Sequence, residues 1–119
     1  MKIYLQTQIQ INVREGKENN ISVYADVYTS EKGGQLAIHD SYKFSGSSYY
    51  ISKPWTISHV GTGKRIISTT TKRGAQYVMR QILNKCSWDF YTASDMNNVG
   101  PELKVVYDWL LAYKRKHQI

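Results

Sequence analysis

The sequence predicts an α+β domain, on three observations. From Lys2 to Ser68 apolar residues recur mostly at every second position, and from Lys72 onward they recur at helical spacing. The change of period falls on Ser68-Thr69-Thr70-Thr71, a run of hydroxyl residues that can cap a helix. The arrangement expected is a twisted, mainly antiparallel sheet of five or six strands within residues 2–68, followed by two C-terminal helices packed on one face. A chain of 119 residues suits a single domain, 1–119, able to bury roughly two thirds of its unfolded surface without staples.

The first strand is the clearest. Between Lys2 and Arg14 the odd positions Ile3, Leu5, Thr7, Ile9, Ile11 and Val13 alternate with polar residues and Tyr4, so one face is buried. The segment E-G-K-E-N-N turns the chain, and Ile21, Val23, Ala25 and Val27 repeat the odd-numbered pattern through a second strand. Its other face carries Tyr24 and Tyr28 with Ser22 and Asp26. Those tyrosines either form a subunit interface or stacking surface, or shield the sheet as cross-strand pairs.

Glu31 to Gly34 is a second turn. Gln35 to Phe44 then reads as a strand with Leu36 and Ile38 on one face and Ala37 and His39 on the other. Tyr49, Tyr50 and Ile51 open a further extended segment, which Pro54 interrupts or confines to a sheet edge. Trp55, Ile57 and His59 share one face of the next strand, V-G-T-G-K turns, and Arg65 to Ser68 returns beside it.

The first helix is expected over about 72–86, with Ala75, Val78, Met79, Ile82, Leu83 and Cys86 as its core stripe. Trp88, Phe90 and Tyr91 follow in a polar loop and should tuck against the core. Gly100-Pro101-Glu102 starts a second helix, about 101–116, with proline at the first position and an acid in the first turn. Leu103, Val106, Tyr107, Leu110 and Tyr113 make its apolar stripe, with Trp109 at the edge. The ending Lys114-Arg115-Lys116-His117 suits the negative end of the helix dipole and could also meet a polyanion.

Charge is distributed unevenly. Residues 1–50 carry five Lys/Arg and five Asp/Glu, whereas residues 51–119 carry eleven against four, which supplies the whole net charge of +7. No acid lies between Asp40 and Asp89, while Lys43, Lys53, Lys64, Arg65, Lys72, Arg73, Arg80 and Lys85 do. Such a window is an electrostatic footprint for a polyanion or an acidic protein surface, or else a solvated face that keeps a small protein soluble. With Cys86 as the only cysteine, no intrachain disulfide forms, and no apolar run reaches the length of a membrane span. A cytoplasmic protein is the expectation.

Candidate chemistry centres on the hairpin Pro54 to Ala75. Gly61 and Gly63 bracket Thr62 and precede Lys64, so a positive-φ turn could aim backbone N–H groups and a lysine at a phosphate. The spacing is not that of a phosphate-binding Walker loop, and glycines demanded by a tight hairpin explain it equally. The anion-binding or nucleic-acid-binding set is Lys53, His59, Thr62, Gly63, Lys64, Arg65, Lys72, Arg73 and Arg80, with Lys64, Arg65, Lys72 and Arg73 at its centre. His59 has a second reading as a satisfied core histidine. Tyr49, Tyr50 and Trp55 are the candidate stacking aromatics. His39, His59, His117 and Cys86 stand at no metal-ligand spacing, no acid–base dyad is evident, and no cofactor is expected.

Trp55 to Ile66, W-T-I-S-H-V-G-T-G-K-R-I, followed by T-K-R-G-A at Thr71 to Ala75, resembles a pattern of small bacteriophage-encoded proteins. The resemblance implies an anti-defence inhibitor of the anti-CRISPR type, which works in the bacterial host cell by occupying a site. Together these readings lead to a non-catalytic binding protein whose basic face contacts nucleic acid or the acidic surface of a nucleoprotein complex. The alternative is an oligomer that sequesters a small nucleotide signal between subunits.

Overall fold

Alternating stretches can bury a face only by pairing, and these pair in chain order. The computed structural model describes residues 4–12, 20–45, 48–90 and 101–117, with side chains at 23–40, 54–90 and 101–117. Strands β1 (Tyr4–Asn12), β2 (Asn20–Thr29), β3 (Gln35–Ser45), β4 (Ser48–His59) and β5 (Arg65–Thr69) form one antiparallel meander, β1-β2-β3-β4-β5. Helices α1 (Lys72–Ile82) and α2 (Pro101–His117) follow. The class is α+β, as the change of period predicts.

Register explains where proline is tolerated. Asp40 pairs with Trp55 and Ser41 with Ser52, which leaves Lys53 and Pro54 as extra residues in β4. A bulge leaves a residue outside the ladder, so the missing N–H of Pro54 costs no sheet hydrogen bond. The break expected at Pro54 therefore does not occur. Tyr49 to Ile51 and Trp55 to His59 belong to one 12-residue strand, which β5 pairs only from Trp55 to Ser58, so Pro54 stands where the β5 side of β4 opens as a sheet edge, the other place expected for it.

Two apolar clusters lie on opposite faces of the sheet. On one face Leu36, Ile38, Ile57 and Ile67 meet Ala75, Val78, Met79 and Ile82 of α1, and Leu103, Val106 and Leu110 of α2. On the other, Val23, Ala25 and Val27 cluster with Ala37. Tyr28, not Val27, packs against the helix-bearing cluster. So the helices lie on the even-numbered face of β2 and cover Tyr28, while Tyr24 on that face stays 67% exposed, and the odd-numbered row has its own cluster behind. The inward row expected for β1 lies outside the described side chains.

Helix α1 starts at Thr71, whose side chain accepts the N–H of Gly74, and it stops at Ile82 rather than near residue 86. The chain then turns, since Lys85 N–H donates to Ile82 O. Leu83 and Cys86 nevertheless remain fully buried. The carbonyl of Leu83, the C-cap, accepts the indole N–H of Trp88. The backbone N–H of Trp88 donates to Gly33 O, and Trp88 forms a parallel bridge with Gly34.

The β2–β3 turn is built to receive that residue. Ser30 N–H donates to Gly34 O, Ser30 Oγ donates to Cys86 O, and Glu31 N–H donates to Asn84 Oδ1. Gly34 sits at φ +81°, and a Cβ there would lie 2.1 Å from the carbonyl carbon of Trp88. Gly34→Ala should therefore separate the turn from the post-helix segment, and Trp88→Ala should cost about 3–5 kcal/mol by emptying a fully buried site. Urea unfolding of both variants checks this; a destabilisation below about 1 kcal/mol in either would be incompatible with so close an approach.

Candidate nucleic-acid interface

His59 ends β4 and is 1% exposed. Thr62 N–H donates to Nδ1 at 3.1 Å, so the proton sits on Nε2, which donates to Trp88 O at 2.6 Å. Phe90 stacks on the ring at a centroid distance of 4.1 Å. Burial pushes the His59 pKa down, opposed by the bond to Trp88. This imidazole joins the turn to the post-helix segment and presents no atom to a ligand.

The glycine turn is likewise directed inward. Gly63, at φ +73°, donates its N–H to His59 O, Thr62 donates to the His59 ring, and Lys64 N–H donates to Thr62 Oγ1. Three N–H groups that could have cradled a phosphate are thus committed within the hairpin. Gly63 is buried, whereas Lys64 and Arg65 are exposed.

The expected centre of four cations is divided. Arg65 pairs with Ser58, whose hydroxyl bonds His39 on the face away from α1, because a register shift makes Ile66 the extra residue. The length of β5, about 13 Å at 3.3 Å per residue, further separates Arg65 from the start of α1. Lys72 is also engaged: its Nζ lies 3.3 Å from the Asp26 carboxylate and 5.1 Å from the centre of the Trp55 ring. Trp55 is half-buried against the helix-side core and under that lysine. The side chains of Lys53, Tyr49 and Tyr50 lie outside the described residues.

Arg73 and Arg80 remain exposed, and they share a face of α1. At i−4 and i+3 they flank Tyr77, which is 43% exposed. Tyr77 meets Trp109 and Tyr113 of α2 at centroid distances of 6.4 and 6.0 Å. Trp109 stacks on Tyr113 at 5.4 Å, and Tyr113 meets His117 at 4.1 Å. These α2 rings recur every four residues along one flank of the helix.

Helix direction places the cations. Lys32, in the turn whose Ser30 and Glu31 bond Cys86 and Asn84 just past α1, pairs with Glu102 in the first turn of α2, while Trp109 and Tyr113 farther along α2 reach Tyr77 within α1. The helices therefore run antiparallel, and the last turn of α2, with Lys114, Arg115, Lys116 and His117, lies toward the Arg73 end. The sequence signal for this surface is the spacing R-x-x-x-Y-x-x-R at Arg73, Tyr77 and Arg80, in which Tyr77 lies off the apolar stripe.

Other reactive groups are buried. His39 Nδ1–H donates to Asp40 O, and Nε2 accepts from Ser58 Oγ at 2.8 Å, an arrangement a nucleophile and base would share. Both residues are 2% exposed. Burial and the nearby Glu102 push the Cys86 thiol up to about 11, Lys32 opposing, so little thiolate forms at neutral pH. A cleft of about 360 Å³ is lined by Gly34, Gln35, Val60, Gly61, Trp88 and Asp89, with an acid and no base. Among the described residues no three His, Cys, Asp or Glu converge, and no helix is long and apolar enough to cross a membrane.

No family model, curated protein or solved structure matches the chain.

Two buried neutral imidazoles set a pH dependence. Burial is the main cause in both, holding His39 and His59 below the ordinary 6.5, while unfolding restores that value. The unfolded chain then binds more protons in acid, so stability is full above about pH 6.5 and falls as pH drops toward the folded values. Urea midpoints should decline between about pH 7.5 and 5, and His59→Gln should show a shallower decline despite its lower stability. An unchanged slope in that variant would contradict a buried neutral His59.

Proposed function

We propose that the protein is a non-catalytic binding protein that takes a polyanion, nucleic acid or the nucleic-acid-like acidic surface of a nucleoprotein complex, on the exposed face of α1 and the last turn of α2. The observation that supports this reading is the placement of Arg73 and Arg80. Both are exposed on a helix that contains no acid, and the basic last turn of α2 lies toward one of them. Of the described acids, Asp26, Glu102 and Asp108 are each held by a lysine, Lys72, Lys32 and Lys104 in turn.

Phosphate neutralisation by such cations needs no reaction and little pocket. An inhibitor of a bacterial defence system would act the same way, by covering a surface that nucleic acid uses; that narrower reading is supported only by the resemblance at Trp55–Ile66 and Thr71–Ala75. Buried reactive groups favour binding over catalysis. For a sequestered nucleotide the described cleft has the wrong sign of charge.

Binding of a labelled oligonucleotide should weaken linearly with the logarithm of salt concentration. The Arg73→Ala/Arg80→Ala double variant should lower affinity and make the slope shallower by roughly 0.7 to 0.9 for each phosphate no longer neutralised. Arg65→Ala, on the opposite sheet face, should change affinity less. Fluorescence anisotropy from about 50 to 200 mM salt checks all three. Salt-independent binding, or an Arg65 effect equal to that of the double variant, would overturn this assignment of the face.

A further inference from the structure

Resting on that reading, we infer that the ligand class is single-stranded nucleic acid, and that Tyr77, with Trp109 and Tyr113 beside it, is the platform on which its bases stack. A duplex offers phosphates to the arginines but keeps its bases paired away from a ring on a convex helix surface. A single strand offers both, and base stacking is sequence-tolerant because every base has a π-face.

Three features of the surface match that ligand. Tyr77 retains 43% of its exposure although Trp109 and Tyr113 are within reach, so the aromatic group is not closed over by its neighbours. The rings are supported from beneath: Trp109 and Tyr113 are half-buried and pack against the helix-side core, so they hold position without a ligand. Arg73 and Arg80 stand on either side of Tyr77, separated by about 10 Å along the helix axis at 1.5 Å per residue. A strand crossing the platform would thus meet a cation before and after its stacked bases. Val105, 66% exposed and one turn before Trp109, extends the apolar strip along α2.

An acidic peptide would satisfy the arginines as well, yet it gives the rings no flat partner. The charge complement alone therefore does not account for an exposed tyrosine set between two arginines.

The test compares fluorescein-labelled oligo(dT), a duplex of equal length, and heparin on the full chain, with Tyr77→Ala, Tyr77→Phe and Arg73→Ala/Arg80→Ala. Oligo(dT) should bind more tightly than the duplex. Tyr77→Ala should weaken oligo(dT) binding by about 5- to 150-fold, corresponding to about one to three kcal/mol per stacked base, and should leave heparin unchanged. Tyr77→Phe should retain binding, and the double arginine variant should weaken all three ligands. Circular dichroism melting verifies that the variants fold, the position being surface-exposed. Tyr77→Ala binding oligo(dT) like the parent, or tighter duplex binding, overturns the stacking inference while the polyanion reading stands. Absence of binding to oligo(dT), duplex and heparin alike overturns both.

Discussion

The hydrogen bond from His59 Nε2 to the carbonyl of Trp88 ties together parts of the chain that local sequence would leave apart. His59 closes β4 and holds the turn through Thr62, while Trp88 reaches Gly33, Gly34 and Leu83. One buried polar contact thus links the β2–β3 turn, the β4–β5 turn and the exit of α1. Its geometry fixes the tautomer, and the neutral ring suits a site enclosed by Trp88 and Phe90. A charged imidazole there would face a large desolvation cost with only a carbonyl to offset it. With this junction fixed, α1 is held against β3, β4 and β5, and its outer face is determined.

That outer face shows why a run of basic residues in sequence is a poor guide to a basic surface. The 48 residues between Asp40 and Asp89 contain no acid, but Asp26 of β2 enters the same region in space and takes Lys72. It stands beside the start of α1, where the helix dipole favours an anion, so the protein supplies its own carboxylate there. A strand bulge turns Arg65 to the other face of the sheet. On α1 the outward cations are Arg73 and Arg80, brought onto one face by helical spacing rather than by proximity in the chain.

Legibility followed the range of the interactions. The class, both helix starts and the core stripe of α1 depend on period and capping, which a short window records, and Thr71 caps as the hydroxyl run suggests. The apolar spacing continues through Leu83 and Cys86, which stay buried past the end of α1 at Ile82, so spacing alone does not mark where the helix stops. That Pro54 marks an edge and not a break depends on how three strands align, since the bulge shows only once β3 is set against β4 and the edge only once β5 is seen to end at Trp55. Which face the helices cover could not be read either. The even face of β2 mixes Ser22 and Asp26 with Tyr24 and Tyr28, and the alternation of Val23, Ala25 and Val27 marks a buried row without saying which layer lies on it.

The same distinction separates the two sets of candidate residues. Glycine turns, histidines and clustered lysines draw attention in a sequence because of residue type, yet here Gly63 and His59 are consumed by the fold, and the turn's N–H groups point into it. Tyr77 has no such mark. It matters because α1 and α2 are antiparallel, which brings a solvent-facing residue of one helix against the flank of the other. A side chain that packs on one edge and stays open on the rest can serve a partner without cost to the core beneath it. Ala75, Val78, Met79 and Ile82 hold α1 in place from below, so the identity of residue 77 is left to what the outer face meets.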